Sequence, residues 1–167
     1  PAARRHWRAL MALEPMDISV WRSLARLLAE DGGRQEANRL IEEGTTRLPE
    51  FAELWGLAAE WLSTDPRGSV QALDQYLRLV PASAWGFRER ALRKLDLNEK
   101  EAALADTRES LELEPESPVS WHIHSEVLAK SGQREEARAA LREALTLDID
   151  RVEAATDLMN LATDRDD

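Results

Sequence analysis

The chain has 167 residues, with 32 acidic against 22 basic side chains, a net charge of −10, and no cysteine. That balance argues against nucleic acid, which needs a basic stripe to neutralise phosphates, and against anionic membrane surfaces; a partner of basic or apolar character fits better. Without cysteine there is no disulfide framework, no thiol nucleophile and no zinc–thiolate site.

No apolar run approaches the roughly 20 residues of a membrane span. The N-terminus has no apolar signal core, so the expected compartment is the cytoplasm. Basic residues are almost all arginine, lysine occurring only at Lys94, Lys100 and Lys130, which reads as a GC-rich, bacterial genome. The chain opens on Pro1 rather than methionine and is expected to be a processed or excised segment.

The predicted elements run in pairs. In 1–16, Ala3, Trp7, Leu10, Met11 and Pro15 fit the second helix of a pair whose first helix is missing. Segment 17–50 is the first complete pair. Asp17 is placed to cap its first helix, and Trp21, Leu24, Ala25 and Leu28 share one helical face. Asp31-Gly32-Gly33 breaks that helix, with Gly32 in the turn. The second helix carries Ala37, Leu40, Ile41 and Gly44 and stops at Leu48-Pro49.

Segment 51–82 opens with Trp55 and is about two residues short. Asp65 as cap and Pro66 as first helical residue replace its glycine turn. In 83–116, a register set by Pro115 puts Phe87 in the tryptophan position and Arg90 where leucine is expected, so Arg90 should be partly exposed or paired. Asn98 takes the turn. Ala103, Leu104, Leu111 and Leu113 lie on the second helix.

Segment 117–150 repeats the plan. Ser117 caps, Pro118 starts the helix, and Trp121 and Leu128 carry its apolar face. Gly132 turns the chain, and Ala137, Leu141, Ala144 and Leu145 face inward. Asp150 and Glu153 form a capping box for a last helix within 151–164, and Asp164 to Asp167 make an acidic tail. Ten helices and no strand are expected.

Trp21 and Trp55 stand 34 residues apart. Gly32 matches Gly132, Ala37 matches Ala137, and Trp21 matches Trp121. Self-similarity at such a period indicates a stacked helical solenoid. The phrase Trp21-x2-Leu24-Ala25-x2-Leu28, then Ala37-x3-Ile41, Gly44 and Pro49, resembles the tetratricopeptide repeat. The likeness covers nearly the whole chain. It implies an all-α, right-handed superhelical array of antiparallel helix pairs through 1–167, with the first helices lining a concave groove that takes peptides.

Carried over by position, that groove holds Ser19, Arg22, Arg26 and Ala29, then Glu53, Glu60 and Ser63. Trp85, Arg88 and Leu92 follow in the proline register, then Val119, His122, Glu126 and Ala129, and finally Glu153, Thr156 and Asn160. The expected peptide-binding residues are Arg22, Arg26, Glu60, Trp85, Arg88, His122, Glu126 and Asn160. Arg22 and Arg26 are one turn apart and can grip a carboxylate or pair with neighbouring glutamates. Chaperone-binding arrays grip a terminal carboxylate with basic and asparagine side chains on three successive groove helices. Here the second helix offers Leu57 and the third Trp85 and Glu89, so such a receptor is not expected.

Chemistry is sparse. His122 and His124, two apart on a helix, point in different directions, and a zinc site needs further ligands; His122 should face the groove and His124 pack between helices. Glu42-Glu43, Glu112-x-Glu114 and Glu135-Glu136 lie among arginines, as on solvated faces. No nucleophile elbow or phosphate loop is present. No catalytic residue, metal or cofactor is expected.

The function expected is a protein-interaction scaffold. The alternative is a regulatory or substrate-recruiting arm of a larger bacterial enzyme. The first helix lacks the helix expected before it, so either further repeats are expected before Pro1 or this end contacts another chain. Arg4, Arg5 and Arg8 give it a basic face that self-association with the acidic C-terminal end, through Asp157 and the tail, would use.

Overall fold

The computed structural model describes residues 2–32, 34–148 and 152–163. Among them are ten helices and no strand: α1 (Ala2–Leu13), α2 (Ile18–Gly32), α3 (Arg34–Arg47), α4 (Ala52–Trp61), α5 (Pro66–Leu79), α6 (Ala84–Asp96), α7 (Lys100–Leu113), α8 (Pro118–Lys130), α9 (Arg134–Leu147) and α10 (Val152–Thr163). Gly33, Ile149, Asp150 and the tail from Asp164 lie outside the described residues, as do the side chains of Ala3, Arg4, Asp31 and Glu153.

The helices form two compact units, Pro1–Pro81 and Ala82–Asp167. In the first, α2 packs on α1, α3 and α4, and α4 packs on α3 and α5. In the second, α8 packs on α6, α7 and α9, and α10 packs on α9. Each pair therefore covers its apolar face with its neighbours rather than around one central core.

The local signals act largely as the sequence suggests. The Asp17 carboxylate accepts the Ser19 N–H at 2.9 Å. Hydrogen bonds from Ser19, side chain first and backbone second, hold that carboxyl below its ordinary value. Asp65 caps α5 through the Gly68 N–H, and Ser117 caps α8 through the Ser120 N–H. Ser83, not singled out above, caps α6 through the Gly86 N–H.

Asn98 and Gly132 take left-handed backbone, φ 61° and 83°. At both, the next N–H bonds back to the fifth carbonyl behind it, Glu99 to Lys94 and Gln133 to Leu128. This closes the helix end and satisfies its orphan carbonyls. Gly32 differs from expectation: it is the last residue of α2 rather than part of the turn.

The tryptophans share one contact. Trp21, Trp55 and Trp121 each donate the indole N–H to a proline carbonyl six residues earlier, Pro15, Pro49 and Pro115, at 2.8, 2.9 and 2.8 Å. Pro81 and Phe87 have the same spacing, so Phe87 holds the tryptophan position without an N–H. Only Trp21 is fully buried; Trp55 and Trp121 are half-buried. Beneath Trp21 lies Gly44, where a Cβ would come within 2.6 Å of the ring.

Ala37, Ala103 and Ala137 are wholly buried. The equivalent of the second pair is Ser69, also fourth in its helix; its hydroxyl donates to Ala59 O at 3.0 Å, which satisfies a polar group that burial would otherwise penalise.

Unit two carries a polar seam. Asp106, Thr107, Ser110 and Ser120 are buried. Arg90 meets Asp106 through two nitrogens, at 2.9 and 2.7 Å, and Lys94 reaches the same carboxylate at 2.8 Å. Arg90 also lies over the Phe87 ring. Arg90 is thus paired and takes the place that leucine holds at Leu24.

Two outcomes follow. Gly44→Ala gains about 1 kcal/mol of helix propensity but overpacks the Trp21 ring at a cost of about 1–3 kcal/mol. Urea unfolding is expected to show net destabilisation that shrinks in a Trp21→Leu background; equal effects in both backgrounds would mean that the ring is not the obstacle. Asp106→Ala strands two cations whose side chains are 18% and 16% exposed, and should cost about 3 kcal/mol. Replacing Arg90, Lys94 and Asp106 together by leucine should recover most of it.

Candidate functional site

The first helices of successive pairs adjoin in both units. In unit one, Arg22 on α2 reaches Glu60 on α4 at 2.9 Å, with side chains 55% and 43% exposed. Arg26, Ser19 and Glu53 are exposed and Ala29 is half-buried. Arg22 therefore pairs with Glu60, and such an exposed pair is worth little on its own.

In unit two, α8 and α10 enclose a cleft of about 560 Å³. It brings together three of the residues expected from the sequence, His122, Glu126 and Asn160. Its floor is apolar, from Ala129, Leu141 and Leu161. Two side chains that sequence reasoning did not place there, Asp157 and Lys130, complete its charges.

His122 Nε2 and Asp157 Oδ2 are 2.7 Å apart. A carboxylate only accepts, so Nε2 carries the hydrogen. Lys130 Nζ donates to Glu126 Oε1 at 2.9 Å. Both carboxylates stay partly open, Asp157 at 50% and Glu126 at 40%, whereas the His122 side chain is 17% exposed. Ser125 lies behind them, its hydroxyl donating to His122 O at 2.6 Å.

The remaining expected residues are not among those lining this cleft. Arg88 is 13% exposed and held by Glu114 at 2.7 Å and Ser120 Oγ at 2.8 Å. Its guanidinium is engaged in joining α6, the end of α7 and the start of α8. Trp85 is half-buried on α6, four residues after Pro81. Arg22, Arg26 and Glu60 belong to unit one.

His124 packs away from the cleft. Its Nδ1 lies 2.7 Å from Thr107 Oγ1, and its ring meets Trp121 edge-on. The Thr107 hydroxyl hydrogen goes to Leu104 O, so Nδ1 is the donor of that pair. The two histidines thus diverge to different partners. Burial above all, and then the charge of Arg108, pushes the His124 pKa below its ordinary value.

Two other depressions, of about 590 and 500 Å³, occupy the same place in the repeat. Arg8, Leu28, Glu36, Leu40 and Glu43 line one; Arg108, Leu128, Glu136, Ala140 and Glu143 line the other. Recurrence at equivalent positions marks them as products of helix packing. A smaller apolar hollow of about 310 Å³ lies beside Trp61, Ile41 and Leu62. Among the described residues no helix is long and apolar enough to cross a membrane.

The His124 shift has a signed consequence. An unfolded histidine, near its ordinary value of 6.5, takes a proton more readily than the folded one. Stability is then fully present above that value and is lost as pH falls toward the lower folded value. Thermal unfolding between pH 7.5 and pH 5 should show this decline, and His124→Gln should flatten it. An unchanged slope in the variant would assign the decline to other groups.

No family model matches the chain. It is 35% identical over 106 residues to protein FlbA of Caulobacter vibrioides, a match covering 62% of this chain and 18% of FlbA. The chain spans less than a fifth of the length of the curated relatives it matches. MamA from Desulfovibrio magneticus RS-1 superposes with a TM-score of 0.73 at 17% identity, over 86% of this chain and 82% of MamA. The first TPR of Spaghetti (RPAP3), solved bound to an HSP90 peptide, superposes with a TM-score of 0.63 at 14% identity, over 66% of this chain and 90% of that domain. With its paired helices, buried small residues and tryptophan–proline phrase, the chain has the tetratricopeptide-repeat fold.

Proposed function

We propose that this chain is a non-catalytic protein-interaction module and that the α8–α10 cleft receives an extended segment of a protein partner. The observation that carries the reading is the cleft itself: an apolar floor rimmed by half-exposed charges, with a volume of about 560 Å³. Such a mixture suits side-chain anchoring with polar orientation. The tetratricopeptide domain of RPAP3, bound to a peptide, is a precedent for the fold in this use. The cleft's own hydroxyl, on Ser125, is engaged by the His122 carbonyl rather than by an imidazole, which suits binding better than nucleophilic chemistry.

Within unit one, the face carrying Arg22, Arg26 and Glu60 is read as a further contact strip. The exposed Arg22–Glu60 pair can exchange its partners at little cost. The second reading is a recruiting arm of a larger enzyme, favoured by the short span of this chain relative to FlbA. It predicts that an activity of the full-length gene product depends on the same cleft.

A photo-crosslinking residue at Ala129, on the cleft floor, should capture a discrete peptide segment of a partner in cells. The same residue at Glu109, exposed on α7, should not. Equal and indiscriminate capture at both positions counts against the cleft.

A further inference from the structure

The same cleft carries a charge pattern that selects its occupant. Resting on the reading of the cleft as a peptide site, we propose that it takes an extended segment bearing basic side chains at alternate positions, followed by an apolar one. Counting histidine as neutral, two carboxylates, Asp157 and Glu126, face one ammonium, Lys130. The whole chain adds a field of −10, which steers a cationic segment toward it and repels an acidic one.

The internal partners are exchangeable. Glu126 and Lys130 form a one-turn pair on α8 with side chains 40% and 57% exposed, the kind that a better-placed guanidinium replaces. Asp157 gives Oδ2 to His122 while half of its side chain stays exposed, so an incoming arginine can bond to it without removing the imidazole.

The spacing sets the pattern. Asp157 adjoins His122, and Glu126 lies four residues farther along α8, a rise of about 6 Å. An extended peptide advances about 6.6 Å in two residues. Basic side chains two apart thus reach both carboxylates. The next side chain on that face falls about one helical turn farther, level with Ala129, in a cleft whose apolar lining also includes Leu141 and Leu161. The acidic counterpart would set like charges against both carboxylates at short range.

The test uses the full chain and two fluorescent peptides, acetyl-Ser-Arg-Ala-Arg-Ala-Leu-Ser-amide and its counterpart with glutamate for both arginines. Affinity is read by fluorescence anisotropy, and position by the methyl resonances of Leu141 and Leu161. The arginine peptide should bind and shift those methyls. The double variant Glu126→Gln, Asp157→Asn should weaken it about tenfold or more. The control Glu109→Gln, Glu112→Gln removes the same charge from the exposed side of α7 and should leave affinity unchanged. Equal weakening in variant and control would reduce the effect to net charge and overturn the proposal. Methyl shifts with the glutamate peptide alone would keep the cleft as a peptide site and overturn its basic selectivity. Methyls unmoved by either peptide would overturn both.

Discussion

The hydrogen bond from an indole N–H to the proline carbonyl six residues before it holds three of the four complete pairs to the linker before them. Between a finished helix and the next, a carbonyl has no intrahelical partner. Tryptophan is the side chain that pairs a large apolar body with a donor at its edge. Trp21, Trp55 and Trp121 place that body on the helix pair and that donor on the linker. The first helix of each such pair is thereby tied to the end of the pair before it. Gly44 leaves the room that the Trp21 ring requires.

Where tryptophan is missing, different chemistry appears. Phe87 supplies the ring but no donor, and the residue three later is Arg90 rather than leucine. Its charge is compensated by Asp106 from α7, with Lys94 on the same carboxylate. The next pair keeps its tryptophan but carries His124 at the leucine position, bonded to the neighbouring Thr107. Two adjacent residues of α7 thus serve two successive polar replacements of one apolar position. Such buried pairs contribute geometry more than stability, since desolvation offsets much of their Coulomb energy.

The cleft depends on this construction. Because α10 packs on α9 and α9 on α8, the two first helices stand with a channel between them, floored by Leu141 from α9 and Leu161 from α10. The charges on its rim come from both helices: His122 on α8 meets Asp157 on α10, and Glu126 and Lys130 stand one turn apart along α8.

The sequence by itself determined the helix pairs, the capping at Asp17, Asp65 and Ser117 and the turns at Asn98 and Gly132, and it left Arg90 either partly exposed or paired. Each of these rests on contacts within one repeat or on a strict period, and both are written in residue order. The resemblance to the tetratricopeptide repeat, carried over by position, also put His122, Glu126 and Asn160 on first-helix faces. Only the tertiary structure decided that Asp157 faces His122, that Arg22 meets Glu60 and that Arg88 is engaged by Glu114 and Ser120. Those partners lie 35, 38, and 26 and 32 residues away. Helical periodicity says which face a side chain occupies, but its partner across the interface depends on the packing of whole helices, which no local pattern encodes.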